Sequence, residues 1–383
     1  MKTLRTRILF LDILRAIACA LVIVNHLHIP ESYTILHSIS RGGWCGVDLF
    51  FVLSGFLVSG VLFQEFRANQ SVDLRRFLIR RGLKIYPAFY AFLFSTAIGI
   101  HLFGRDASFA SVRHLLAEVF FVQNYFPGFW AHTWSLAVEE HFYFGIAIVV
   151  ALVAWSRFKL SSQVITVLML IIAVISLLLR WRLSSVPYDA RTHLFPTHLR
   201  MDSLGFGVLL SHAWHFHQEY VRKLFYAWRW VLLAFGTVGS LPAFLYERQD
   251  TPWLCVFGLT LLYIANGSLL LGLCLVRIPE SGVVRVLAAV GAQSYSIYLW
   301  HEPVVSCLVP RLHVPLGGVH PLLPAAIGFV VSIALGMVMA QLIEVPVLAL
   351  RDRWTASRWQ QRQPVNAVPT RLIQAEDVQT SSP

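Results

Sequence analysis

Charge is what this 383-residue sequence has least of: only 13% of its residues are Asp, Glu, Lys or Arg, against 57% hydrophobic. That balance, with a positive mean hydropathy, excludes an ordinary soluble domain. Cysteine is sparse as well. The five present form no C-x-x-C pair and no metal-type spacing, which excludes a zinc finger or a disulfide scaffold. Cys19, Cys45, Cys255, Cys274 and Cys307 fall in or beside apolar stretches and read as small core residues. No internal repeat is visible, so the matched halves that many transporters carry are missing. A second soluble domain is not expected.

What the sequence does have is long apolar runs. Ten lie near residues 8–28, 44–66, 84–103, 134–155, 162–182, 194–213, 229–246, 252–276, 285–310 and 321–348, each close to the roughly 20 residues that cross a bilayer. They predict an all-α integral membrane protein of about ten transmembrane helices within residues 1–350. A polar tail, 351–383, is expected to be disordered. The first run carries Asp12 and Arg15 where a signal peptide would be apolar, and no small-residue cleavage site follows, so it is expected to stay as a helix. The net charge of +11 raises the question of nucleic acid, but its distribution argues otherwise. With the N-terminus cytoplasmic, about two thirds of the Lys and Arg fall on the inner side, as the positive-inside rule requires. Both termini are then cytoplasmic, although Arg180, Arg182, Arg191 and Arg200 in an outer segment oppose the count.

The few polar residues inside the runs are informative because a charge there is costly and usually serves a site. In "LDILRAIACALVIVNHLH", Arg15 and His26 are eleven residues apart, about 20° beyond three full helical turns, so both project from nearly one face, with Asp12 close to it. The second run, "GGWCGVDLFFVLSGFLVSGVLF", holds Asp48, and its small residues Ser54, Gly55, Ser59 and Gly60 suit close helix contact. A basic stretch follows. Arg75, Arg76, Arg80, Arg81 and Lys84, in the segment between the second and third runs, suit either anionic headgroups or a phosphorylated ligand. "HTWSLAVEEHFYF" sets Glu139, Glu140 and His141 together, with Tyr143 one turn after Glu139; it lacks the i, i+4 ligand pairing of a zinc helix, and no metal is expected. "HLRMDSLGFG" holds Arg200 and Asp202, and "GAQSYSIYLWHEPV" holds Tyr295, Tyr298, His301 and Glu302, where Tyr298 and His301 can face together or anchor the membrane interface.

Taken in order, these blocks make the sequence resemble the acyltransferase-3 family of membrane O-acyltransferases. "LDILRAIACALVIVNH" is similar to the family's first helix, with its Arg, ten residues, His motif met by Arg15 and His26. "GVDLFFVLSGFLVSG", "RRGLKIYPAFY", "HTWSLAVEEHFYF", "RMDSLGFG" and "SYSIYLWHEPV" look like its later blocks. The resemblance covers nearly everything up to about residue 350. It implies ten core helices in a bacterial cytoplasmic (inner) membrane and transfer of an acyl group, usually acetyl, from cytoplasmic acyl-CoA to a hydroxyl. Lys84 stands where the family commonly has Arg, and the sequence resembles the members without a C-terminal SGNH-type hydrolase domain.

The chemistry fits these residues. Acyl transfer from a thioester to an alcohol needs a base near neutral pH, and His26 suits it. Cationic groups are needed for the phosphates and for the oxyanion. Arg75, Arg76, Arg80, Arg81 and Lys84 are therefore expected at the nucleotide end of acetyl-CoA, with Arg15, held by Asp12, deeper in the donor channel. Glu139 or Glu140 is expected to orient His26 or the acceptor. Asp48, Ser54, Tyr143, Arg200, Asp202, Tyr298 and His301 are candidate channel or acceptor contacts. The expected partners are acyl-CoA, a hydroxyl-bearing glycan such as an O-antigen-like polysaccharide, and membrane lipids, with no nucleic acid. A macrolide acceptor and a polytopic transporter are the competing readings.

Overall fold

Backbone polar groups have no partner in hydrocarbon, so apolar runs of this length close their hydrogen bonds within helices. The computed structural model describes residues 9–103, 112–155, 162–316 and 318–354, and no strand occurs among them. The first half contains α1 (Leu9–His26), α2 (Thr34–Gly42), α3 (Gly46–Asn69), α4 (Leu74–Phe103), α5 (Val112–Val119), α6 (Trp134–Trp155) and α7 (Ser162–Leu183). A short turn, α8 (Ala190–His193), leads to α9 (Met201–Phe216), α10 (Gln218–Phe225), α11 (Arg229–Ser240), α12 (Pro242–Leu245) and α13 (Leu259–Cys274). The chain continues through α14 (Gly282–Ala292), α15 (Ser294–Pro303), α16 (Val309–Leu316), α17 (Leu323–Met339) and α18 (Val345–Trp354).

Among the described residues, seven helices are long and apolar enough to cross a membrane, or eight if the pair Gln218–Phe225 and Arg229–Leu245, bent by 81°, is one span. Only 17% of the apolar window in Val164–Leu183 is buried inside the protein. Its other side chains face outward, and lipid is the surrounding that accepts such a surface. This is a multi-pass membrane protein.

Two of the ten sequence-predicted runs do not form one long helix. The sixth becomes helical only at Met201, because Thr197–Leu199 is a tight 3₁₀ turn after Pro196. The ninth divides into α14, α15, a π turn at Val304–Leu308 and α16, where Pro303 removes a hydrogen-bond donor from the ladder. The third begins earlier than predicted. Asp73 accepts the Arg76 N–H at 2.9 Å, a capping contact that starts α4 at Leu74 and makes the basic segment helical. Most of the tail predicted as disordered, from residue 355 onward, lies outside the described residues.

Small residues set the helix crossings. A Cβ on Gly55 would overlap the Leu204 carbonyl of α9, and one on Gly207 would overlap the Val52 carbonyl of α3, so α3 and α9 touch backbone to backbone. Two buried ion pairs join the same region: Arg200 to Asp48 at 2.6 Å and Arg180 to Asp202 at 2.7 Å, all four side chains at most 2% exposed. Cys19, Cys45 and Cys255 are buried, but Cys274 is half-buried and Cys307 exposed, so the reading of all five as core residues holds for three.

Candidate active site

His26 ends α1, where the helix stops and its imidazole meets α15. His26 Nδ1 lies 2.9 Å from the Val22 carbonyl one turn back and 3.4 Å from His301 Nε2. His301 Nδ1 is 2.6 Å from the Tyr298 carbonyl, so that nitrogen carries the His301 proton and Nε2 is left as an acceptor. Nδ1 of His26 therefore faces two acceptors and holds the proton, leaving Nε2 with its lone pair free. Glu302 Oε2 stands 3.7 Å from that Nε2 and has no hydrogen-bond partner, while Oε1 accepts from the Ser306 hydroxyl at 2.8 Å. One ligand atom from each of His26, His301 and Glu302 lies within 4.8 Å of the others, a set able to share a proton or to hold a divalent cation.

The His26 ring opens into a cavity of about 170 Å³ between the helices, lined also by Val22, Trp44, Val47, His132, Arg200 and Tyr298, and into a wider one of about 490 Å³ with Trp44, Tyr188, Arg41 and Arg248 on its walls. His132 sits on the turn Ala131–Thr133. Glu118 of α5, fully buried, holds that turn by accepting the Trp130 N–H at 2.9 Å and the Thr133 hydroxyl at 2.8 Å. Burial pushes the Glu118 carboxyl up to about 7.

A second cavity, about 110 Å³, lies at the Arg15 end of α1 and is lined by Arg15, Ser54, Arg81, Lys84, Glu139, Glu140, Tyr143, Tyr295 and Tyr298. Here polar groups answer one another. Glu139 accepts the Ser54 hydroxyl at 2.8 Å and the Tyr143 hydroxyl at 2.6 Å; Glu140 accepts from Tyr86 at 2.8 Å; Lys84 pairs with Glu344; and Arg15 reaches Asp12 at 3.3 Å. Arg81 makes no ion pair among the described residues, and its guanidinium lies 5.0 Å from the Tyr143 ring centre. Val47 and Tyr298 line both this cavity and the 170 Å³ one. Tyr298 is fixed there, donating to the His132 carbonyl at 2.6 Å and standing 2.6 Å from the Ser135 hydroxyl.

Residues 8–341 match the family model described as acyltransferase domain, acyltransferase-3. The chain belongs to the acyltransferase-3 family. It is 30% identical over 334 residues to the peptidoglycan O-acetyltransferase OatA of Listeria monocytogenes, covering 79% of this chain and 50% of that protein. It is 28% identical over 316 residues to the O-acetyltransferase OatA of Staphylococcus aureus, covering 77% and 50%. The chain thus spans about half the length of these curated relatives. No solved structure matches it.

The structure gathers part of the predicted set and disperses the rest. His26, Tyr298 and Arg200 line the 170 Å³ chamber, with His301 against the His26 ring, while Arg15, Arg81, Lys84, Ser54, Glu139, Glu140 and Tyr143 meet at the other end. Two expectations are corrected. Neither Glu139 nor Glu140 orients His26, because both line the Arg15 cavity; the carboxylate at His26 is Glu302. Asp48 and Asp202 line no cavity described above and instead anchor Arg200 and Arg180, since a buried charge needs an opposite one. Within the basic segment only Arg81 and Lys84 reach the cavity: Arg75 is exposed, Arg76 pairs with Glu65 at 3.4 Å and Arg80 with Asp352 at 3.0 Å. The residues given no role from sequence are Glu302 and His132. A His beside the start of an apolar run was the available signal for His132.

Proposed function

We propose that the protein is a membrane O-acetyltransferase that takes the acetyl group of cytoplasmic acetyl-CoA and places it on a hydroxyl of a cell-envelope glycan at the opposite face of the cytoplasmic membrane. One observation carries this reading: a cavity rich in cations and a cavity holding a histidine base lie at the two ends of α1 and adjoin at Val47 and Tyr298. Arg15, Arg81 and Lys84 suit the phosphates of the donor. The residue step of 1.5 Å along eleven residues puts His26 roughly 16 Å from Arg15, a reach suited to an extended thioester arm. His26 Nε2 takes the acceptor hydroxyl proton, Glu302 faces the imidazolium that forms, and the acceptor oxygen attacks the thioester carbonyl. The likeness to the Listeria peptidoglycan O-acetyltransferase favours peptidoglycan over an O-antigen-like polymer as the acceptor.

The orientation with both termini cytoplasmic gains support from the buried ion pairs. Arg180 and Arg200 counted against it as outer loop charges, but both are neutralised inside the protein, and neither acts as a loop charge. Sealed proteoliposomes of fixed orientation test the proposal. With radiolabelled acetyl-CoA on the face bearing Arg81, an impermeant peptidoglycan fragment should be labelled when it is outside on the His26 face and not when it shares the donor's compartment. Labelling only on the donor's side overturns the transmembrane route and favours a cytoplasmic small-molecule acceptor.

A further inference from the structure

We propose that Arg200 and His132 form the oxyanion site of this enzyme, binding the thioester carbonyl oxygen as it becomes negatively charged. The inference rests on the acyl-transfer reading above. Both residues line the 170 Å³ cavity that contains His26. Arg200 is 1% exposed, yet of its three guanidinium nitrogens only Nη2 is bonded, to Asp48; Nε and Nη1 are buried without a partner. Its neighbour Arg180 is used differently. There Nη1 donates to the Leu199 carbonyl and Nη2 engages Thr260 and Asp202, leaving Nε alone unpaired among the described residues.

Arg200 is also held in place. Its guanidinium lies 5.5 Å from the Phe51 ring centre and 6.0 Å from that of Trp134, and the Asp48 contact fixes one edge, so the group has little freedom to turn. His132 is 3% exposed and neither ring nitrogen has a hydrogen-bond partner; the Leu299 carbonyl lies beside the ring but outside hydrogen-bonding geometry. Each buried polar group left unpaired costs about 1 to 3 kcal/mol. Several such atoms in one small chamber with a histidine base point to a group that arrives with the substrate. The chamber's other amide donor is already used, because Asn25 Nδ2 donates to the Ser40 and Arg41 carbonyls. Arg15 lines the other cavity.

The step balances as follows. The acceptor hydroxyl gives its proton to His26 Nε2 while its oxygen bonds to the thioester carbon. The carbonyl π pair moves onto oxygen, where the free edge of Arg200 and a ring N–H of His132 donate to it. When the pair returns, the carbon–sulfur bond breaks, and the CoA thiolate takes the proton from His26. Donors that meet charge only in the transition state raise kcat and leave ground-state binding nearly unchanged.

The test compares His132→Phe, His132→Gln and Arg200→Lys in the detergent-purified full chain, with acetyl-CoA and a soluble glycan acceptor. His132→Phe keeps ring volume without a donor, His132→Gln keeps an N–H, and Arg200→Lys keeps the charge facing Asp48 while losing the planar fork. His132→Phe and Arg200→Lys should each lower kcat about 10² to 10³-fold with the acetyl-CoA KM within about threefold of wild type, and His132→Gln should recover part of the His132→Phe loss. If Arg200→Lys does not fold, the two His132 variants decide, because they leave the Arg200–Asp48 pair in place. A kcat within tenfold of wild type for His132→Phe, a KM that rises in step with the fall in kcat, or no recovery in His132→Gln overturns the oxyanion site while leaving acetyl transfer intact. A wild-type chain that moves no acetyl group to any glycan overturns both readings.

Discussion

The two ends of α1 are built on opposite plans. At the Arg15 end, Glu139, Glu140, Lys84 and Asp12 are bound to Tyr143, Tyr86, Glu344 and Arg15, and the one buried oxygen left over there among the described residues is Glu140 Oε1. At the His26 end, His132, the free edge of Arg200 and one oxygen of Glu302 are left without hydrogen-bond partners. A satisfied network is rigid and can position a large anion without reacting with it. An unsatisfied one is under tension from desolvated groups and is relieved by a small polar guest. On the proposed reading, binding and chemistry are thereby separated along one helix.

The largest effect should come from removing the group on which the reactive end depends. His26→Ala is expected to lower acetyl transfer about 10² to 10⁴-fold with the protein still inserted and monodisperse, because a half-exposed ring at a helix end contributes little packing. Turnover above a tenth of wild type would take the base role away from it. Glu302→Gln should follow. Loss of the charge facing His26 is expected to reduce kcat by about tenfold, or about 1.4 kcal/mol, with the KM values of donor and acceptor unchanged; an equal loss in a Glu139→Gln variant would erase the distinction between the two ends.

At the Arg15 end the expected effects are on affinity and are smaller. Arg81→Gln should raise the acetyl-CoA KM about fivefold, in the range of about 1 kcal/mol for a partly exposed charge contact, and the difference should shrink in high salt. Arg80→Gln should do less, since Arg80 is already committed to Asp352. Equal KM changes in the two variants would mean that the basic face of α4 acts as a diffuse field and not through a site.

The smallest effect is a pH dependence at the turn carrying His132. Burial raises the Glu118 carboxyl to about 7, above its ordinary value, so the folded state binds the proton more tightly than the unfolded state. Stability from this group is fully present below about 4.5 and declines as pH rises toward about 7. Hydrogen exchange at the Trp130 amide, corrected for intrinsic rate, should show less protection at pH 8 than at pH 5, and Glu118→Gln should flatten the difference. An unchanged slope in that variant would separate Glu118 from the effect.

Sequence spacing resolved what lies on one helix and missed what lies between helices. The shared face of Arg15 and His26 was legible because eleven residues nearly close three turns. The role of Gly55 was legible because small residues within a large-residue run have few other uses. The carboxylate partner of His26 was not legible: Glu302 is 276 positions away, and the nearer Glu139 and Glu140 attracted the assignment. The pairing of Asp202 with Arg180 was hidden for the same reason, since charge alone does not say whether a cation faces a loop or a neighbour. The helical start of the basic segment depended on the Asp73 cap, a local signal outweighed by reading the segment as a connection.

Tyr298 has a further consequence for the cell. On the proposed route an acetyl group passes a point where Val47 and Tyr298 stand between the two chambers, with the tyrosine hydroxyl already engaged on the His132 carbonyl. A thioester tip is slender and largely uncharged, so it can pass where a hydrated sodium ion or a chain of waters carrying protons cannot. On that route acetyl groups would move outward without discharging the membrane's electrochemical gradient.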